Sequence, residues 1–419
     1  MGPLPKAVAA ILLCVSTSCV SAASFCSLSE SDSVRRIVSC KDQVSLQRCR
    51  EVAEQHGCAV LRELPSINAV VIQLSGSRAF FEDAKMRNEP DIQRVDEDKR
   101  LRWLKSADFR VSLPKSARFV PGPAMPLPPP ELEEQPWGIR RVRAAAAWSR
   151  HEGAGVKVAV IDTGIDASHP DLAGVVAGGY NAIDPSKPWA DDEGHGTHVS
   201  GTIAALRDGK GVVGVAPRAR LYAVKVLDKT GNGTYSDIIA GIEWAIKNGM
   251  DVANLSLGAT EGSEPLHKAV IAAEKAGLVL VAAAGNEDGG PVAYPGAYPE
   301  TIAVGASNVK DAWSTFSSKG PQVALIAPGE DIKSTVPGGS YAEMSGTSMA
   351  CPHIAGLAAL LVESGARGHE AILARLKAAS TPLPGLSLDQ QGAGMPDAGR
   401  LFGAEAPVAL AAVGGAPGR

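Results

Sequence analysis

Between Trp137 and about Phe402 the chain repeats one pattern, a short unbroken run of β-branched and small apolar residues followed by a stretch with helical periodicity. The runs are Val156 to Ile161, Arg220 to Val226, Val252 to Leu257, Val279 to Ala284, Thr301 to Val304 and Val323 to Ala327. Helical stretches such as Asp237 to Asn248, Glu264 to Ala276 and Ser348 to Glu363 lie between them. A strand that is apolar on both faces must be covered on both, and strands separated by helices are joined by crossovers rather than hairpins. The pattern predicts an α/β fold with a mostly parallel central sheet and helices on both faces. Functional groups in such sheets gather beyond the carboxyl ends of the strands.

The upstream part is organised differently. From Ser33 to about Arg102 the order is strand, helix, strand, strand, helix, strand: Val34 to Val38, Val44 to His56, Cys58 to Leu61, Ala69 to Leu74, Phe80 to Asn88 and Ile92 to Val95. That order suits a small α+β domain of the ferredoxin-like, split βαβ type. Pro114, Pro121, Pro123, Pro126, Pro128, Pro129 and Pro130 then make a stiff linker, since such a run builds neither helix nor sheet interior. At the N-terminus, Lys6, the apolar stretch Ala7 to Val15 and small residues ending at Ala23 describe a secretory signal peptide, too short to span a bilayer. A lipoprotein reading through Cys19 competes, but Ser16, Thr17 and Ser18 supply no apolar residue before it. The expected divisions are 1–23 signal peptide, 24–104 α+β domain, 105–134 linker, 135–402 α/β domain and 403–419 an Ala/Gly/Pro-rich tail.

Export to the periplasm or the medium places the cysteines in an oxidising compartment. Cys26, Cys40, Cys49 and Cys58 allow two bridges in any of three pairings, or four buried thiols, while Cys351 stands alone. A formal net charge of −4 argues against nucleic acid as a partner. No later run reaches 18 apolar residues, so no membrane association is expected after signal removal.

Four motifs fall at strand ends or helix starts. VAVIDTGID ends an apolar run at Asp162, HGTHVSGT opens a helix with His195 and His198, VAAAGN puts Asn286 just past a buried run, and SGTSMACPHIAG starts an apolar helix at Ser348. Pro352 is expected in that helix's first turn, where an amide has no partner to lose. Each motif alone has an ordinary structural explanation as a turn, a cap or a packed histidine. Together they supply one chemistry. A serine hydroxyl is a poor nucleophile until a neighbouring base takes its proton. His195 would be that base, Asp162 would orient and stabilise the imidazole, and Asn286 with the Ser348 backbone N–H would bind the oxyanion.

On these motifs the chain resembles the subtilisin-like serine protease family, whose triad follows the order Asp162, His195, Ser348. The resemblance runs from about Gln135 to Leu401 and continues through LYAVKVLDKTGNGTYSDIIAGIEWAIKNGMDVANLSLG, AYPGAYPETIAVGA and FSSKGPQVALIAPG. It implies a secreted serine endopeptidase, monomeric, without organic cofactor, acting on polypeptides and made as a zymogen. The α+β domain resembles the family's inhibitory, chaperoning propeptide, with RVDEDKRLRW as its last strand and a cut after Leu104. Gly231, Asn232, Gly233 and Ser256, Leu257, Gly258 would be the two edges gripping substrate backbone. The S1 pocket would lie between the second edge and Ala283 to Gly285, with Ala293 at its base, and would take an apolar P1 side chain.

The resemblance also implies a calcium site from Asp171, Asp208, the carbonyls of Leu206, Lys210 and Val212, and Glu133 or Glu134; an ordinary Asp-Gly turn is the alternative. Asp191, Asp192 and Glu193 crowd the approach to His195, so a basic P2 side chain is expected, unless they form only a solvated acidic turn. Two rivals remain: a metal-dependent hydrolase using His195, His198 and Asp192, and a non-catalytic scaffold.

Overall fold

Strands β1 (Val34–Cys40), β2 (Ala59–Leu64), β3 (Ala69–Leu74) and β4 (Ile92–Glu97) form an antiparallel sheet in the order β2-β3-β1-β4. Helices α1 (Leu46–Gln55) and α2 (Ala79–Arg87) complete this small α+β unit. The computed structural model describes residues 33–74, 79–104 and 132–403. The segment read as a signal peptide, Cys26, most of the Pro-rich linker and the tail from residue 404 lie outside the described residues. Alternation in β3 decides how the unit is used. Val70, Ile72 and Leu74 share a core with α1, whereas Ala69 and Val71 point the other way, into a cluster shared with the larger body. Cys40 and Cys49 are disulfide-bonded and Cys58 is a buried thiol.

A short strand β5 (Arg100–Arg102) leaves this unit, and α3 (Trp137–Arg141) opens the larger body. Its elements in chain order are β6 (Lys157–Asp162), β7 (Val176–Asn181), α4 (His195–Ala204), β8 (Arg220–Lys225), β9 (Asn232–Thr234), α5 (Tyr235–Lys247), β10 (Val252–Leu255), α6 (Glu264–Lys275) and β11 (Val279–Ala283). Then come β12 (Thr301–Ser307), β13 (Val323–Pro328), the hairpin β14 (Ile332–Val336) and β15 (Ser340–Met344), α7 (Thr347–Glu363) and α8 (His369–Ala378). The large sheet runs β13-β12-β11-β10-β6-β8-β7, every pair parallel. Its strands are buried on both sides: Val158 and Val160 of β6 join the cluster with α4 and α7, and Ala159 and Ile161 join the one with α5 and α6. This is the α/β architecture that the apolar runs predict. Two segments the patterns did not flag are β7, an edge strand weakened by Gly178-Gly179, and the half-polar β14–β15 hairpin.

Helix α7 departs from expectation in an informative way. Its N-cap is Gly346, so Ser348 is the second helical residue and Pro352 lies beyond the first turn. Proline inside a helix leaves the carbonyl four residues back without its amide donor. That carbonyl belongs to Ser348, and the Ser256 hydroxyl donates to it at 2.7 Å. The helix thus exchanges one internal bond for a tie to the end of β10.

Two buried histidines make acid stability predictable. Burial pushes His198 down to about 3 and His353 down to about 4. Both therefore fold neutral, and an unfolded chain binds protons that the folded one refuses. Their stabilisation is full above the unfolded value of about 6.5 and is lost as pH falls toward the folded values, at up to about 1.4 kcal/mol per pH unit for each ring. Urea unfolding of the chain and of His353→Gln between pH 7.5 and 4.5 checks this: the wild-type midpoint should fall more steeply with acid, and parallel profiles would exclude the His353 contribution.

Candidate active site

Asp162 is the last residue of β6, and both its carboxylate oxygens face His195 Nδ1, at 2.8 and 3.0 Å, with both side chains fully buried. Strand-end turn and helix start are laced together around this pair. Asp191 Oδ1 accepts from the Thr163 hydroxyl and from the Gly194 amide, its Oδ2 accepts from the Thr197 amide and hydroxyl, and Thr163 Oγ1 accepts from the Gly196 amide. The approach is so close that a Cβ on Gly196 would collide with the Gly164 carbonyl. A histidine carried on the first turn of α4 is thereby held against a carboxylate that the sheet keeps in place.

Asn286 follows β11. Its Oδ1 accepts from the Thr347 amide and hydroxyl, both at 3.0 Å, and the Thr347 hydroxyl also accepts from the Gly285 amide. With its oxygen so committed, the carboxamide has Nδ2 as its donor end, beside the N-terminal turn of α7. Ser348 is on that turn, and its hydroxyl donates to the Ser256 carbonyl at 3.1 Å. The start of α7 concentrates unshared N–H groups and the positive end of the helix dipole, so it favours negative charge. The four candidate residues therefore sit at the carboxyl ends of β6 and β11 and at the starts of α4 and α7, two helices that pack on each other.

The acids near His195 are engaged within the protein. Asp192 pairs with Lys225 Nζ at 2.6 Å, and Glu193 accepts the His195 amide at 2.8 Å. Burial pushes the Glu193 carboxyl up to about 7, opposed by the nearby His195. Sequence reading missed Lys225, although a lysine ending an apolar strand was a signal: it is buried and also donates to the carbonyls of Thr163 and Leu227. His198 does not join His195 in a metal site. Its Nε2 points at the carbonyls of Ile332 and Ala342, which makes it a donor there, and Asp192 is held by Lys225. The arrangement expected for a metal-dependent hydrolase is not formed. Cys351 is fully buried and its thiol donates to the Val281 carbonyl, as a packing residue would.

The segment after the small unit lies along this site. β5 pairs antiparallel with β9, Leu101 opposite Gly233, and Trp103 donates its amide to the Gly231 carbonyl at 2.9 Å while accepting from the Gly258 amide at 3.1 Å. The chain thus runs between the two edges read from the sequence, 231–233 and 256–258. Leu257, Gly258, Ala283, Gly285, Ala293 and Ser348 line one small pocket together with Asn286. A Cβ on Gly258 would come within 2.9 Å of the Ala293 methyl, and one on Gly285 within 2.8 Å, so Ala293 narrows a slot whose walls must be glycine. Trp103, rather than Leu104, borders that pocket, and Leu104 packs over Gly231.

Several of the residues expected to bind a cation lie close together. Asp171 Oδ2 accepts from the Val212 amide and the Tyr341 hydroxyl, the Leu206 amide donates to the Asp171 carbonyl, and Glu133 accepts the Gly209 amide at 3.0 Å. Burial pushes the Asp171 carboxyl up, and the neighbouring charge of Asp208 adds to the rise. Gly211 has φ +56°, and a Cβ there would fall on the Asp171 carboxylate, so the loop 206–212 is wrapped tightly around an acid. Among the described residues no three His, Cys, Asp or Glu side chains form a ligand set, so most donors would be carbonyls, as a hard cation accepts. Glu134 instead pairs with Lys333 at 2.7 Å.

Residues 153–394 match the subtilase family, peptidase family S8. Subtilisin E of Bacillus subtilis (strain 168) is 54% identical over 234 residues, covering 54% of this chain and 61% of that relative. Subtilisin of Bacillus pumilus is 54% identical over 234 residues, covering 84% of its length, and Subtilisin Savinase of Lederbergia lenta is 51% identical over 227 residues, covering 83%. The match to Subtilisin E thus spans less than two thirds of that protein.

Proposed function

Because the chain belongs to the subtilase family, we propose that it is a serine endopeptidase that cleaves polypeptides through an acyl-enzyme on Ser348. The observation that carries this reading is the buried Asp162–His195 pair, with Ser348 on the first turn of α7, a helix that packs on the one carrying His195. In the reaction Ser348 Oγ leaves the Ser256 carbonyl, gives its proton to His195 Nε2 and attacks the scissile carbonyl carbon. Asp162 keeps Nδ1 protonated and stabilises the imidazolium. The oxyanion is met by Asn286 Nδ2 and the Ser348 amide. His195 then returns the proton to the leaving amine, and water repeats the sequence in reverse to free the acid.

Substrate backbone binds as β5 does, between Gly231-Asn232-Gly233 and Ser256-Leu257-Gly258, and specificity falls to side-chain pockets. The slot above Ala293 fits a small or medium apolar P1 residue. A digest of a cellular protein extract by the purified enzyme, read by mass spectrometry, should show cleavage after such residues; cleavage centred on charged P1 residues would exclude this pocket assignment.

Residues 24–104 act as an inhibitory propeptide and are removed after delivery through a signal peptide to the periplasm or the medium. Support comes from β5 in the cleft and from the ties at α5: Asp98 accepts from the Ser236 amide and hydroxyl at 2.9 and 2.8 Å, and Arg62 donates to the Ser236 carbonyl at 2.9 Å. The enzyme works as a monomer without organic cofactor. Asp171, Asp208, Glu133 and the carbonyls of Leu206, Lys210 and Val212 would hold Ca2+, which would neutralise the crowded acids and pin the segment that leads into α3. A ligand that binds only the folded form stabilises by about 2.7 kcal/mol at a hundredfold excess over Kd. Chelation should therefore lower Tm by several degrees, calcium should restore it, and Asp208→Ala should abolish the difference; a Tm indifferent to chelator and calcium would remove the site.

A further inference from the structure

The small N-terminal unit cannot cover its sheet alone. One face of the sheet, with Val38, Val70 and Ile72, packs on α1, but Ile37, Ala69 and Val71 on the other face belong to the cluster of the larger body. A unit of this size buries only about 60% of its unfolded surface even when complete, so one covered face leaves it marginal. Into that single covered layer the structure puts a covalent bond. Cys40, at the end of β1, is joined to Cys49 of α1 across a sequence separation of 9, and both are at most 1% exposed. A closure of this length removes enough freedom from the unfolded chain to shift folding by roughly a hundredfold. The third cysteine of the same core does not disturb it: burial, with Glu82 nearby, pushes the Cys58 thiol up to about 11, which leaves almost no thiolate to attack the bridge.

We infer that the Cys40–Cys49 bridge is an oxidative latch on the inhibitory clamp. With the bridge closed the N-terminal unit stays folded and keeps β5 paired with β9; with it open the unit unfolds and the cleft is released. The inference rests on the reading of residues 24–104 as an inhibitor. Opening takes two electrons from a dithiol reductant. One thiolate of the reductant attacks a bridge sulfur, the other cysteine leaves as thiolate and is protonated, and the second reductant thiol resolves the mixed disulfide. The products are two cysteine thiols and a cyclic disulfide. Because both sulfurs are buried, attack waits on opening of the unit. Closure of the latch during export is therefore what commits the chain to an inhibited state.

The full chain carrying Ser348→Ala, which cannot process itself, tests this with a fluorescently labelled apolar peptide and anisotropy. The bridged chain should bind the peptide weakly, and the Cys40→Ala/Cys49→Ala chain at least roughly tenfold more tightly. The Cys58→Ala chain should behave as the bridged one does. Equally weak binding with and without the bridge overturns the latch and leaves the clamp standing, whereas equally tight binding, bridged chain included, overturns the clamp itself. A Cys58→Ala chain as open as the double variant assigns the effect to core packing and also overturns the latch. Should the double variant fail to fold, the folded bridged chain is reduced in place with dithiothreitol, and peptide binding that does not rise as Cys40 and Cys49 become alkylatable overturns the inference.

Discussion

Ser348→Ala is expected to lower peptide hydrolysis by about 10⁶-fold and to stop self-processing, so that the chain accumulates with its N-terminal unit attached. The magnitude is that established for a subtilisin, a relative, rather than one deduced from this geometry. The geometry supplies the reason for expecting it here. Removing the Oγ deletes the nucleophile, so no acyl-enzyme can form and only direct attack by water remains. Folding should survive, because the hydroxyl makes one bond, to the Ser256 carbonyl, and the more important tie at this position runs through the Ser348 carbonyl, which the substitution keeps. Casein clearing and the mass of the purified chain read both effects. Residual hydrolysis within tenfold of wild type would remove Ser348 from the mechanism.

Asp162→Asn should cost about 10⁴ in kcat with little change in KM. The carboxylate makes two contacts with Nδ1 and accepts the Thr163 amide at 2.7 Å. An amide of the same shape can turn its NH2 toward Nδ1, which then becomes the acceptor and moves the proton to Nε2, the atom that has to receive the one from Ser348. The loss should shrink as pH rises, when hydroxide begins to replace the missing base. A variant that kept more than a tenth of wild-type kcat at neutral pH would show that the pair is not the orienting element.

The parts of the molecule that could be read from the sequence share a physical cause. Strands such as β6 and β11 are buried on both faces, so their apolar character is continuous and their ends are sharp; Asp162 and Asn286 stand out because polarity returns there abruptly. β7 escaped because an edge strand tolerates Gly178 and Gly179, and β14 because Lys333, Ser334 and Thr335 face neighbours that no local pattern announces. The site was legible in its reacting groups and opaque in their supports. Thr163 with Asp191, Asn286 with Thr347 and Ser256 with Ser348 are each separated by 28 residues or more, and no spacing rule connects them. Pro352 lies deeper in its helix than the local pattern predicts, because the bond that compensates for it comes from another element. At the end of the small unit it is Trp103 that borders the pocket, while its indole packs edge-on against Tyr235 and donates to the Gly233 carbonyl.

The ties at α5 lie away from the reacting atoms. Ser236 accepts Arg35 and is met by Asp98, and Glu243 farther along the helix accepts from the amide and hydroxyl of Ser66. On the proposed inhibitory role of residues 24–104, how long the N-terminal body lingers and how fast a bond is broken are separate traits, written on different residues. A lineage could lengthen or shorten the dormant period by altering Ser236 or Glu243 while the catalytic rate stayed the same.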